Sequence, residues 1–192
     1  MARNKSFEPE ERLSKARDLF WQKGYQATSM QDLVDTTGLN RGSIYDTYGD
    51  KHQLFLMCLK SYADDLLLDH QTVAETTKSP LKAIEKIIKR AVNRVIEEGK
   101  SCMIVRTAFE LAAVDNAVHV ILKEHTTDTI ALLVDLIRKA QKAGEISGKR
   151  EPAVLASFIH ANFAALDQSY LIYKDAELIK QQADFLIKSV RK

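Results

Sequence analysis

Arg41, Gly42 and Ser43 stand just past Gly38, and their types suit one kind of chemistry. The planar guanidinium of Arg41 can donate two parallel hydrogen bonds to O6 and N7 of guanine, a pattern that the DNA major groove presents. Gly42 lets a backbone approach closely, and the hydroxyl of Ser43 can meet a base edge or a phosphate. A second group lies in the middle of the chain. Cys102 follows Lys100 and precedes Arg106 near the start of an apolar segment. Positive charge and a helix N-terminus lower a thiol's pKa and open it to oxidation, although cysteine is also among the most commonly buried residues. His160 and Asp167 could line a ligand pocket with Cys102, Arg106, Phe109 and Glu110, while Arg106 and Glu110 have the i,i+4 spacing to bridge each other. His125, Glu124 and Asp128 have the spacing of a partial metal site. Two further ligands are not evident, so neither a metal nor a cofactor is expected. No base stands at readable spacing from Cys102 and no oxyanion site is apparent, so an enzyme is not expected.

The elements that must hold these groups can be traced outward from Thr28–Lys51, TSMQDLVDTTGLNRGSIYDTYGDK. Thr28 and Gln31 have capping-box spacing, and Met30, Leu33 and Val34 then repeat at helical intervals. Gly38 permits the positive φ that ends this short helix, and Leu39 supplies an apolar contact at the corner. Asn40 caps a second short helix over 41–45 or slightly beyond, with Ile44 as its inward anchor. Gly49 breaks that helix, and Asp50 and Gln53 repeat the cap pattern before Leu54 and Phe55. Helix, glycine turn, short helix is the helix-turn-helix arrangement, whose second helix can enter a major groove.

The residue identities go further than the arrangement. Gly38, Leu39, Arg41, Gly42, Ile44, Tyr45, Tyr48 and Lys51, extended upstream to Gly24, Tyr25 and Thr28 and downstream to Leu54 and Phe55, resemble the tetracycline-repressor (TetR) family of bacterial regulators. The resemblance covers roughly residues 8–58. It implies an N-terminal DNA-binding domain at 1–51 and a helical effector-binding and dimerisation domain at 52–192. It implies DNA contacts from Thr28, Asn40, Arg41, Gly42, Ser43, Tyr45, Tyr48 and Lys51, with Lys51 on phosphate and Tyr48 the one closest to plain core. Asp46 and Thr47 depart from the aromatic–histidine pair common in the family. An acid there would repel phosphate, so Asp46 either faces cytosine N4 or points away.

Composition agrees with an all-α fold: three prolines and seven glycines in 192 residues, with 45% hydrophobic and 28% charged side chains. No apolar run of membrane-spanning length occurs, and MARNKSFEPEER lacks the apolar core of a signal peptide, so a cytoplasmic protein is expected. Charge gives no support to DNA binding. Residues 1–51 hold eight basic and eight acidic side chains, and residues 25–51 set Arg41 and Lys51 against Asp32, Asp35, Asp46 and Asp50. A basic footprint must therefore be local, drawing on Arg3 and Lys5 in an N-terminal arm over 1–7 and on Arg41 and Lys51. A shallow salt dependence follows.

Helical patterns continue to the end of the chain. The spacing predicts a first helix from Glu8 and Pro9 to Lys23 with Leu13, Ala16, Leu19 and Phe20 inward, and Trp21 as a packing residue. It then predicts helices over 51–73, 81–97, 101–114, 116–143, 152–173 and 176–190, about nine in all. Between 154 and 172 apolar or small residues cover most of the circumference, so that helix must be buried on more than one side. The resemblance implies that the last two helices form a four-helix interface with a second copy, and Phe158, Ala161, Ala165, Leu166 and Phe185 are the candidates. The function implied is a homodimeric, palindrome-reading transcriptional regulator, a repressor released by a small hydrophobic effector. The alternative is a repressor switched by oxidation or electrophile modification of Cys102.

Overall fold

A computed structural model describes residues 9–191. The described residues form nine α-helices: α1 (Pro9–Lys23), α2 (Met30–Thr37), α3 (Arg41–Tyr48), α4 (Lys51–Thr76), α5 (Pro80–Glu98), α6 (Met103–Leu111), α7 (Asn116–Lys142), α8 (Pro152–Tyr173) and α9 (Ala176–Arg191). The expected arm over 1–7, with Arg3 and Lys5, lies outside the described residues, as does Glu8.

Local chemistry accounts for most helix ends. Asp50 accepts from the Gln53 amide at the head of α4, Ser79 caps α5 ahead of Pro80, and Asp115 accepts from the amides of Ala117 and Val118 at the start of α7. Two expectations are corrected. The cap of α2 is Ser29, not Thr28: Ser29 and Asp32 exchange side-chain and backbone hydrogen bonds in a full capping box. Thr28 is buried instead, its hydroxyl donating to the Gly24 carbonyl at 2.6 Å. The apolar helix around Cys102 is also shorter than 101–114. Cys102 stands at its N-cap without a side-chain cap bond, and Ala112–Val114 form the turn that hands the chain to Asp115.

Two apolar clusters hold the helices together. One gathers Ala16, Phe20, Leu33, Ile44 and Tyr48 from α1–α3 with Leu54, Phe55, Cys58, Leu59 and Tyr62 of α4. Met103, Ile104 and Leu111 of α6 and Val118 and Leu122 of α7 complete it. The other joins α5, the C-terminal half of α7, α8 and α9 around Ile84, Ile87, Leu133, Ile137, Ile159 and Ile187. The first core thus continues past residue 51 into α4, α6 and α7. At 26 residues α4 spans about 39 Å, and Val73 near its far end belongs to the second cluster.

Candidate nucleic-acid interface and internal cavity

The turn between α2 and α3 is built by two residues. Gly38 adopts φ 68°, ψ 15° and donates its N–H to the Val34 carbonyl, and Asn40 accepts from the Ser43 amide at 2.8 Å. Ile44 and Tyr48 face inward from α3, and the Tyr48 hydroxyl donates to the Pro9 carbonyl at 2.7 Å. Arg41, Gly42, Tyr45 and Asp46 are left on the outer face, with Ser43 half-buried beside them. Nothing inside the chain requires glycine at 42, because a β-carbon there would meet only the Asn40 side chain at an ordinary 3.4 Å. Lys51 is half-buried with its Nζ 4.4 Å from the centre of the Tyr25 ring, and burial lowers its pKa. Of the eight predicted contact residues, Thr28 and Tyr48 therefore lie beneath this surface rather than on it. They support it from below.

The back of this unit is gripped by α6. Arg106 donates to the carbonyls of Trp21, Gln22 and Lys23 at 3.3, 2.9 and 2.7 Å, satisfying the last carbonyls of α1. One turn on, Glu110 accepts from the amides of Gln26 at 2.8 Å and Tyr25 at 3.4 Å. Between these two side chains sits Gly24, at φ +86°. Arg106 and Glu110 thus spend their side chains on the α1–α2 corner and not on each other. Phe109 also leaves the predicted pocket, since it is 79% exposed.

A cavity of about 90 Å³ does exist, lined by α1, α4, α5, α7, α8, the start of α6 and Ile179 of α9. Of the predicted pocket residues it takes Cys102, His160 and Asp167. Asp167 is buried, accepting from the Ser101 hydroxyl and from the Cys102 amide at 2.9 Å, and burial raises its pKa. Cys102 follows the buried reading and not the alternative of an activated thiol: burial pushes its pKa up. The cations invoked for it point elsewhere, Lys100 over the Trp21 ring at 3.6 Å and Arg106 into α1. The Tyr62 hydroxyl is 3.6 Å from Cys102 Sγ. Cys58 is buried in the first core.

Sequence reasoning missed the other polar walls of this cavity, namely Trp21, His70, Arg94, Lys100, His125 and Thr129. Trp21 closes one end and donates from Nε1 to the Ser101 carbonyl. Burial, then the neighbouring Arg94, pushes His70 down to about 4, and burial also lowers His125 and His160. A polar side chain on an otherwise inward-facing helical stripe was the available signal, and His125 carried it on its α7 stripe. Among the described residues no three His, Cys, Asp or Glu side chains are grouped so as to hold a metal ion, nor is any helix long and apolar enough to cross a membrane.

The outer faces of α8 and α9 carry a separate apolar surface. Phe158 is 49% and Phe185 75% exposed, Ala161 and Ala165 are exposed beside them, and Leu166 forms the floor of the groove between. Leu166 is itself buried and also reaches the cavity, so of the five predicted interface residues it is the one already covered within a single chain.

Comparison with known proteins matches two family descriptions: "Bacterial regulatory proteins, tetR family" over residues 13–58 and "Tetracyclin repressor-like, C-terminal domain" over residues 80–186. The chain is 29% identical over 187 residues to an uncharacterized HTH-type transcriptional regulator, YezE, of Bacillus subtilis (strain 168), covering 96% of each chain. It is 41% identical over 69 residues to the HTH-type transcriptional repressor ComR of Escherichia coli (strain K12), covering 36% of this chain and 33% of that one. A cysteine mutant of the TetR family transcriptional regulator CifR, solved with 26-base-pair double-strand operator DNA, superposes with a TM-score of 0.87 at 19% identity, covering 98% of this chain and 100% of that one.

Proposed function

Since the chain belongs to the TetR family of DNA-binding transcriptional regulators, we propose that it is a homodimeric repressor that reads a palindromic operator and is released by a small, largely apolar effector. The observation that carries the proposal is the outer face of α3. Arg41, Gly42 and Tyr45 are exposed there on a helix fixed from beneath by Ile44 and Tyr48. Arg41 reads guanine, Gly42 allows close approach, and Asn40, Ser43, Tyr45 and Lys51 hold base edges or phosphates. ComR is by name a repressor and CifR was solved on operator DNA, which supports the same role here. DNA reading is assigned to 1–51, and effector binding and dimerisation to 52–192. The protein acts in the cytoplasm on double-stranded DNA.

Pairing of α8 and α9 with those of a second copy covers Phe158, Ala161, Ala165 and Phe185 and sets two α3 helices about one DNA turn apart. The effector occupies the cavity walled by Trp21, Cys102 and Asp167. Its entry shifts Ser101 and Cys102, and α6 carries that shift through Arg106 and Glu110 to the α1–α2 corner. A coupling of about 1–3 kcal/mol suffices to change operator occupancy. The alternative, a switch by modification of Cys102, requires a reactive thiolate. Burial holds that thiol protonated, which favours the ligand.

Selection of bound sequences from a randomised DNA pool at two salt concentrations tests the proposal. A recovered palindrome with half-sites one helical turn apart is expected. Salt-sensitive binding without a motif would overturn it.

A further inference from the structure

The peptide unit that joins Ser101 to Cys102 is held from two sides. Its carbonyl accepts from Nε1–H of Trp21 on α1, and its N–H donates to Asp167 of α8 at 2.9 Å. In a trans peptide these two groups point in opposite directions from one rigid plane. The Ser101 hydroxyl donates to the other carboxylate oxygen of Asp167. Neither peptide group belongs to a helix ladder. Gly99 ends α5 by donating to the Val95 carbonyl, and the ladder of α6 begins at the Cys102 carbonyl, which accepts from the Arg106 amide at 2.9 Å. The orientation of the plane is therefore set by one donor from the helix-turn-helix unit and one acceptor from the body.

The side chains at its two ends both meet the cavity. Of the residues lining it, Trp21 alone comes from α1–α3. The indole is fixed by Lys100, whose Nζ lies 3.6 Å from the ring, and by Tyr62, which stands edge-on to it at 5.0 Å between centroids. Asp167 is 2% exposed, so its bonds to Ser101 and Cys102 cannot be exchanged for water while the wall is closed. A rigid plane cannot turn at one end only. A displaced Asp167 either takes the Cys102 N–H with it or loses it, and both outcomes move or weaken the bond to Trp21.

We propose that this peptide unit carries the state of the cavity directly to the DNA-reading unit, with Asp167 and Trp21 as its positioning residues. An occupant that crowds Asp167 turns the plane, and Trp21 shifts the end of α1 with it. The link runs beside the α6 route and meets it at Trp21, whose own carbonyl accepts from Arg106 at 3.3 Å. The proposal rests on reading this cavity as the effector site.

Trp21 is the single tryptophan of the chain, so one indole resonance in a nitrogen–proton correlation spectrum reports its bond to Ser101. On intact protein without DNA, Asp167→Ala should move that resonance and speed its exchange with solvent at least about tenfold, the scale of one hydrogen bond. Asp167→Asn keeps an oxygen for the Cys102 amide and should restore most of the protection. Ile159→Ala truncates the second core about two turns away on the same helix and should leave the exchange within about twofold. An indole unmoved by Asp167→Ala, or moved equally by Ile159→Ala, would overturn the proposal. Should Asp167→Ala fail to fold, Ser101→Ala decides: it removes one bond to the carboxylate and should shift the indole in the same direction, and no shift would overturn the link.

On the selected operator, Trp21→Phe keeps a ring, loses the N–H and should lower affinity about three- to tenfold while leaving a scrambled duplex unchanged. Equal loss on both duplexes, or none on either, would overturn the link to operator reading. A responsive indole with no palindrome recovered would remove the repressor and leave the link between body and helix-turn-helix unit. A palindrome with a silent indole would do the reverse.

Discussion

The guanidinium of Arg106 lies 2.8 Å from the point where a β-carbon on Gly24 would stand, and the Glu110 carboxylate lies 2.9 Å from it on the other side. With φ at +86° the backbone of Gly24 is also in a region that L side chains rarely adopt. The positive φ favours glycine where α1 ends, and a β-carbon there would also have to push aside the tips of the Arg106 and Glu110 side chains. The consequence is a tight seat in which one α6 side chain satisfies carbonyls of α1 and the next satisfies the amides that follow.

Gly24→Ala should lower stability by about 1–3 kcal/mol, combining left-handed strain with the displaced Arg106. Arg106→Ala should cost about as much, because three carbonyls lose a charged donor. Urea unfolding measures both. Hydrogen exchange on Arg106→Ala should show faster exchange at Tyr25 and Gln26 than in the far core around Ile87. Unchanged protection at that corner would mean that α6 does not hold it.

Arg41 and Lys51 should fail differently on DNA. Arg41→Ala should cost about 1–3 kcal/mol on the selected operator and flatten preference at one base position of each half-site. Lys51→Ala should weaken all sequences alike and reduce the salt slope by about one per protomer. Titrations of each variant against operator and scrambled duplex, at several salt concentrations, separate the two. Thr28→Val should act through stability instead, because its hydroxyl is spent on the Gly24 carbonyl inside the fold.

Much of this architecture was legible because helix punctuation is local chemistry. Asn40, Asp50, Ser79, Pro80, Gly38 and Gly99 mark ends by what their own backbone and side chains do. The capping box was read one residue early because Thr28–Gln31 and Ser29–Asp32 both fit the pattern, and only packing sinks Thr28 beneath Gly24. The extent of α6 was misread because 101–114 is apolar throughout and Asp115 ends it from outside. The roles of Arg106 and Glu110 were illegible for a different reason: both bind backbone of another helix, and backbone atoms leave no sequence signature. The cavity brings Trp21, His70, Arg94, His125 and Asp167 together from five helices, a convergence that helical periodicity cannot reveal.

Acid should weaken the body through its histidines. His70 ionises near 6.5 in the unfolded chain and is pushed down to about 4 in the fold, so between those values the unfolded state binds more protons. Its contribution to stability is therefore constant above about pH 6.5 and declines as pH falls toward 4, by on the order of 3 kcal/mol. His125 and His160, both lowered by burial, act in the same direction. Asp167, raised by burial, acts oppositely and gains stability only as pH nears the carboxylate range. Urea midpoints from pH 7.5 to 4.5 should fall, and His70→Gln, which does not titrate, should flatten the curve. A midpoint independent of pH over that range would show that His70 is not held neutral.

Phe158 and Phe185 should decide the oligomeric state. Half or more of Phe185 and about half of Phe158 face outward, with exposed Ala161 and Ala165 giving a second backbone room to approach. Phe185→Asp puts a charge into the centre of any surface that covers it, at a cost of several kcal/mol if the burial is complete. Sedimentation should show a dimer for the unaltered chain and a monomer for Phe185→Asp at micromolar concentration, with the helical circular dichroism retained because the side chain makes little contact within its own chain. The monomer should hold a single half-site with an affinity lower by orders of magnitude than the dimer holds the palindrome, since the second half-site no longer benefits from high effective concentration. A variant that stays dimeric would remove α8 and α9 as the interface.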